Sequence, residues 1–356
     1  MGLNLPLFYF SFFTMVFVLS ILLNSLFLKF SRTLGIRKSE NIVRFSDVHK
    51  PALGGITFFI TFLLSLIVYS LFFESSNVLL HSETLGMLVA CTCAFLMGLA
   101  DDAYDTNPIL KFSAQVFCGV IFIYTHIYIQ LFQNIYLNYF ITMLWVVGIM
   151  NAINLLDNMD AISSIASLNA MVTILCLLII GKQSDSVFFT LILGIASAIS
   201  AFLLFNWWPS KMYMGDTGTQ FLGAFMAAVG ILFLWGTSPE PPLPASKRVL
   251  SVLLTFALPI IDTTVVFTNR ILRGSSPFVG GKDHTTHHLF YLGIKEPKIA
   301  VIYSLYSGVS LLFVVFINKY IQNWSMLYFG IFSAYFILSL ITFFIINRVK
   351  KKSYEV

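Results

Sequence analysis

Apolar runs of about 20 residues recur along the whole chain, and a run of that length crosses a bilayer as a helix. By that rule the sequence reads as eleven spans, near 5–30, 53–73, 84–100, 112–130, 138–156, 163–181, 187–205, 218–236, 249–269, 299–317 and 326–347. The fourth is the weakest, because it carries Thr125, His126 and Gln130. Composition identifies the solvent: 10% of the 356 residues are charged and 37 are Phe, whereas soluble domains carry roughly 25% charge. A soluble enzyme, a disordered regulator and a secreted disulfide scaffold are excluded. The four cysteines (Cys91, Cys93, Cys118, Cys176) sit in apolar runs as small hydrophobes, with no disulfide or zinc framework. No basic stretch precedes the first run and no small-residue cleavage pattern follows it, so it is expected as a retained helix rather than a signal peptide. The expectation is an all-α polytopic membrane protein of about eleven helices in a single domain over 1–356, its motifs confined to 48–295.

Lys and Arg set the direction. With the N-terminus outside, the outer turns receive only Lys182, Lys247, Arg248 and Lys319 of the 21 basic residues. The cytoplasmic side takes the rest, from Lys29, Arg32, Arg37, Lys38, Arg44 and Lys50 to the Arg348–Lys352 cluster, a strong positive-inside bias. It accounts for the net charge of +5 without nucleic acid. The C-terminus is then cytoplasmic, anchored at the anionic inner leaflet.

Under that orientation Asp101, Asp102, Asp105, Asp157, Asp160, Asp216 and Asp283 fall on the cytoplasmic side, at or just past helix ends. Carboxylates against a bilayer are costly and mark candidate sites. In Met97-Gly-Leu-Ala-Asp101-Asp102-Ala-Tyr-Asp105, the adjacent Asp101 and Asp102 repel unless a cation or proton sits between them. Asp105 and Asn107-Pro108 are more simply a helix stop. In Asn151-Ala-Ile-Asn154-Leu-Leu-Asp157-Asn-Met-Asp160 the spacing of three puts Asn151, Asn154 and Asp157 on one helix face. Their oxygens suit a hard cation such as Mg²⁺, although buried Asn also joins helices in membranes. Phe205-Asn206-Trp-Trp-Pro209-Ser-Lys211-Met-Tyr213-Met-Gly215-Asp216-Thr-Gly218 flanks an acid with glycines just before a helix. That is a setting for a phosphate and its metal, or for a plain N-cap. Last come Asp262, Arg270, Arg273 and Asp283-His284-Thr-Thr-His287-His288, suited to phosphate and less to zinc, with Asp262 pairing with Arg270 or anchoring the loop. Together these are the groups phosphoryl transfer needs, where a protein mainly positions and neutralises.

The four blocks, with Val48-His-Lys-Pro-Ala-Leu-Gly-Gly55 before them, resemble the polyprenyl-phosphate N-acetylhexosamine-1-phosphate transferase family. The resemblance implies a helical bundle with a cytoplasmic active site in the inner membrane. It implies transfer of sugar-1-phosphate from a UDP-N-acetylhexosamine to undecaprenyl phosphate, releasing UMP, with Mg²⁺ (or Mn²⁺) as cofactor. The partners are then those two substrates and membrane lipids, not nucleic acid, with a homodimer left open. By position, Asp216 and Asn154 would ligate the metal, Asp101 and Asp102 would orient or deprotonate the lipid phosphate, and Asp157 would lie beside them. Asn206, Asp160 and Tyr213, with Lys211 and Asn151, would line the nucleotide-sugar pocket; His284, His287, His288, Arg273 and Lys111 would hold phosphates or lipid. The family's frequent Asp-Gly-x-Asp-Gly reads Asp157-Asn-Met-Asp160-Ala161 here, with both glycines replaced. The His-x-x-His-His spacing looks more like the N-acetylglucosamine-type members than the peptidoglycan lipid I enzyme, which would use UDP-MurNAc-pentapeptide. From another class, a multispan transporter would place its polar groups nearer the bilayer midplane.

Overall fold

The computed structural model describes residues 4–31, 50–73, 81–236, 243–276 and 281–348. Arg32, Arg37, Lys38, Arg44, Phe278 and Lys350 to Lys352 lie outside the described residues. The chain forms α1 (Leu5–Phe30), α2 (Gly54–Phe72), α3 (Ser82–Tyr104), α4 (Pro108–Tyr124), α5 (Ile135–Leu156), α6 (Ile162–Ile180) and α7 (Val187–Asn206). Then follow α8 (Gly215–Gly230), continued as a π-helix over Ile231–Trp235, α9 (Ala245–Thr255), α10 (Ala257–Leu272), α11 (Thr285–Tyr291), α12 (Glu296–Tyr320) and α13 (Met326–Ile346). Among the described residues nine helices are long and apolar enough to cross a membrane, or ten if the α9–α10 pair is one broken span.

Two of the expected spans depart from a single straight helix. The run 112–130 is helical only to Tyr124, and the 17 residues of α4 reach about 25 Å at 1.5 Å per residue. Beyond it, His126 turns left-handed and the chain folds inward, burying Ile127 and Ile129 completely. Its backbone is satisfied there by side chains of α5: Thr142 accepts from Ile129 N–H and Asn138 from Leu131 and Phe132 N–H. The run 249–269 breaks at Phe256 with a bend of 80°. Pro259 is the physical reason: it has no N–H to give the Thr255 carbonyl, and its ring crowds that oxygen.

α8 is the hub: 89% of its most apolar stretch is buried, against 17% for α13, which faces lipid. α3 closes on its first turn through Gly98, where a methyl would come within 2.3 Å of the Asp216 carbonyl oxygen. At the far end of α8, two cations expected in an outer turn are buried instead. Arg248 donates to the Trp235 and Gln130 carbonyls at 2.8 and 3.0 Å. Lys247 donates to the Ile321 carbonyl at 3.0 Å and lies over the Trp324 ring. Both cap helix C-termini, where the dipole favours positive charge.

Candidate active site at one end of the bundle

α3, α5, α7 and α10 end, and α8 begins, at the same end of the bundle. The sequence expectation of Asp101 and Asp102 around one cation is corrected by helix geometry: neighbours on a helix point about 100° apart. Asp102 reaches α8, where its carboxylate accepts from the Asp216 and Thr217 N–H groups at 2.9 and 2.8 Å and from the Thr217 hydroxyl at 2.6 Å. It thereby supplies the N-terminal cap that Met214, the residue preceding α8, does not, and Asp216 itself is not the cap. Gly215 has φ +73, and a Cβ there would approach Asp102 Oδ2 to 2.5 Å, so the contact requires glycine.

Asp101 instead faces Asp216. Lys111 Nζ sits between the two carboxylates, 2.8 Å from Asp101 and 3.1 Å from Asp216. The carboxylates are close enough to hydrogen-bond with each other. The Thr106 backbone N–H (3.0 Å) and hydroxyl also donate to Asp101. Asn154 of α5 donates to Asp216 and, at 2.8 Å, to the Thr219 hydroxyl. Asp216 keeps 31% of its side chain exposed, against 10% for Asp101, so Asp216 is the member of the pair more open to a ligand. As expected, Asp105 ends α3, left-handed at φ 53, and Asn107 caps α4.

Asp157 ends α5 and is buried. Asp160 accepts from the Ser210 N–H and hydroxyl at 2.9 and 2.8 Å and lies 3.6 Å from Lys50. Lys50 also reaches over the Tyr213 ring, 5.2 Å from its centroid. Asn206 is fully engaged by the fold: its oxygen accepts from Ala161 N–H and the Ser164 hydroxyl, and its amide donates to the Met212 carbonyl. Asp160 and Asn206 thus clasp the 157–161 turn to the segment before α8. Asn151, expected near the nucleotide sugar, bonds Gln115 instead. Lys211 and Arg273 are exposed.

The histidine block is buried, not splayed open. His284 meets Asp262 at 2.8 Å, and Thr285 adds its N–H (2.9 Å) and hydroxyl (2.5 Å) to the same carboxylate. Asp262 therefore anchors this loop and does not pair with Arg270, which binds Asp283 bidentately at 2.9 and 2.6 Å. Burial raises the Asp283 carboxyl, but Arg270 outweighs it and holds the group below the usual carboxylate range. His287 is 0% exposed; burial and then the neighbouring His284 push its imidazole down to about 3. This block is joined to the acidic turn: the Thr286 hydroxyl donates to Asn158 at 2.6 Å.

Thr106, Ser164, Ser210, Thr217, Thr219, Thr286 and Gln220 are among the partners that sequence reading did not single out. A legible signal existed for Gln220 alone: it lies one turn inward from Asp216, as Gln115 does from Lys111. Among the described residues no three His, Cys, Asp or Glu converge as a metal site. The available donor set is two carboxylates, Asp101 and Asp216, with the neutral Asn154 and Thr219 beside them. That fits Mg²⁺, which takes one or two carboxylates and fills its shell with water and substrate phosphate.

Fold and site define a polytopic helical membrane protein with its charged chemistry gathered at one end. The model of the family described as Glycosyl transferase family 4 matches residues 84–234, the stretch that carries Asp101, Lys111, Asn154 and Asp216. It is 27% identical to a probable undecaprenyl-phosphate N-acetylglucosaminyl 1-phosphate transferase of Bacillus subtilis, covering 72% of this chain and 70% of that one. A phospho-N-acetylmuramoyl-pentapeptide-transferase of Streptococcus agalactiae is 28% identical over 60% of this chain and 70% of its own. A decaprenyl-phosphate N-acetylglucosaminephosphotransferase of Mycobacterium leprae is 24% identical over 74% and 73%.

Proposed function

We propose that this enzyme transfers N-acetylglucosamine-1-phosphate from UDP-N-acetylglucosamine to undecaprenyl phosphate, releasing UMP and starting a lipid-linked envelope glycan. The observation that carries the reading is the Asp101–Lys111–Asp216–Asn154 cluster, built from α3, α4, α5 and α8 inside the segment that matches the family. In net terms an oxygen of the lipid phosphate bonds to the phosphorus bearing the sugar. The bond from that phosphorus to the bridging oxygen breaks, and UMP leaves with the electron pair. Asp216 and Asn154, with Asp101, would hold Mg²⁺ (Mn²⁺ as a substitute), which when bound neutralises pyrophosphate charge. Lys111 supplies a second positive charge at the same point, and Asp102 keeps the α8 N-terminus aimed there. Lys50, held over the buried Tyr213 ring, supplies a positive charge suited to an anionic nucleotide.

Counting α4 as a short span and α9–α10 as one gives eleven crossings, with the N-terminus outside and the site at the cytoplasmic face of the inner membrane. The distribution of Lys and Arg supports that direction. Lipid I synthesis from UDP-MurNAc-pentapeptide is the second reading, favoured by the likeness to the streptococcal relative. The test is UMP release by purified protein with undecaprenyl phosphate, Mg²⁺ and each donor. Release from UDP-N-acetylglucosamine that needs both lipid and metal supports the first reading. Release only from the muramoyl donor moves the pathway, and none with any donor from folded protein overturns the reaction class.

A further inference from the structure

Each of three site helices repeats one feature a turn deeper in the bundle. Lys111 is followed by Gln115 on α4, Asn154 is preceded by Asn151 on α5, and Asp216 is followed by Gln220 on α8. Spacings of three and four keep each pair on one helix face. The three amides bond to one another. Asn151 donates to Gln115 at 2.7 Å, Gln115 returns a bond to Asn151 at 3.2 Å, and Gln115 donates to Gln220 at 3.1 Å. Gln115 and Gln220 are each 1% exposed, and the Gln220 amide nitrogen has no acceptor among the described residues.

Apolar side chains would fill this layer without that unmet donor, and replacing buried polar groups by apolar ones often leaves stability equal or higher. Amide bonds add direction: they hold only at one rotation of each helix. α4 needs such a hold, since Ile109, Leu110, Phe112, Phe117 and Val120 all face outward. A small rotation of α4 or α8 would spoil the 2.8 and 3.1 Å contacts of Lys111 one turn above.

We propose that Gln115, Asn151 and Gln220 are positioning residues, which fix the rotation of α4, α5 and α8 so that Asp101, Lys111, Asn154 and Asp216 meet a divalent cation and the phosphates in one geometry. They touch neither ligand, so Asn151 leaves the nucleotide-sugar set. The kinetic part rests on the proposed transfer reaction; the metal part does not.

The test compares wild type with Gln115→Met and Gln220→Met, each purified in detergent. Mn²⁺ binding is read by electron paramagnetic resonance without substrate, unfolding by a thermal melt, and kcat and KM by UMP release. The expected result is Mn²⁺ affinity and kcat each weaker by about 10- to 100-fold, as for outer-shell partners of metal ligands. KM for the UDP-sugar should stay within about twofold; melting should fall for Gln115→Met, which leaves Asn151 and Gln220 short of a partner, and less for Gln220→Met, which breaks a single bond. Wild-type Mn²⁺ affinity in a folded variant overturns the proposal, as does a loss that only tracks a lower melting temperature. If Gln115→Met does not fold, Gln220→Met carries the same expectations. Wild type that binds Mn²⁺ tightly but releases no UMP, with weaker Mn²⁺ binding in the variants, upholds the positioning and fells the transfer reaction. Wild type that binds no Mn²⁺ fells the positioning itself.

Discussion

At one end of the bundle Lys111 lies between two carboxylates that would otherwise repel. At the other, Arg248 and Lys247 are buried and donate hydrogen bonds to the backbone carbonyls of Trp235, Gln130 and Ile321. The far end meets the demands of the chain itself, because helix C-termini leave carbonyls without partners. At the near end Asp102 and Asp160 also hold backbone, but the Asp101–Asp216 pair sets like charges side by side that one ammonium only partly offsets. Removing a charge should therefore act oppositely at the two ends: on chemistry at the first, on stability at the second.

The largest effect should come from Asp216→Asn. Loss of the more exposed carboxylate should lower UMP release by about 100- to 1000-fold, the scale for deleting one group that stabilises developing charge. Melting should stay level or rise, because the Asp101–Lys111 pair survives and one repulsion is gone. A large fall in melting temperature would mean that the near end holds the fold together after all.

Arg248→Met is the mirror experiment. It leaves the Trp235 and Gln130 carbonyls without their donor, at about 1–3 kcal/mol for each buried orphan, so about 2–4 kcal/mol of stability should be lost to thermal or denaturant unfolding. Turnover per folded molecule should match wild type. A parallel fall in turnover would show that the two ends are coupled along α8.

The histidine block gives the comparison a pH axis. His287 has a folded pKa near 3, below the unfolded value of about 6.5. As pH falls below about 6.5 the unfolded chain takes up a proton that the folded imidazole refuses, so this stabilisation is complete above about 6.5 and declines toward pH 3. The decline amounts to about 2 kcal/mol at pH 5, at about 1.4 kcal/mol per pH unit. Asp283, also depressed, adds a loss of the same sign at lower pH, below its usual carboxylate value. His287→Asn keeps an acceptor for the His284 N–H and should flatten the stability profile between pH 6.5 and 5. An unchanged slope would remove His287 as its source.

How much of this was legible follows from which forces each feature obeys. The spans could be read because lipid selects on bulk hydropathy. Averaging over a run hides Pro259, whose missing N–H breaks the ninth span. The acidic blocks could be placed at one end, but not paired, because pairing depends on helix rotation and on the close approach at Gly98. Hence Asp101 meets Asp216 while Asp102 caps α8. The histidines looked like free phosphate ligands because sequence does not report burial; here Asp262, from another helix, takes His284.

A smaller effect separates strain from ordinary helix ending. Asp105, His126 and Lys182 have positive φ, and each lies just past a helix C-terminus, where a left-handed residue is the usual exit. Ala161 also has positive φ, 67, but it precedes α6, and its methyl is buried. The family's frequent glycine falls at this position, and the left-handed conformation costs an L-residue roughly 1–2 kcal/mol. Glycine returns about 0.5–1 kcal/mol of that through unfolded-state entropy. Ala161→Gly should therefore gain about 0.5–1 kcal/mol in unfolding experiments and keep its N–H bond to Asn206. Turnover should stay within about twofold, since Asn206 and Ser210 still clasp the turn. A loss of stability would mean that packing of the buried methyl outweighs the backbone strain, and that the chain departs from the glycine pattern because its core has closed around the alanine.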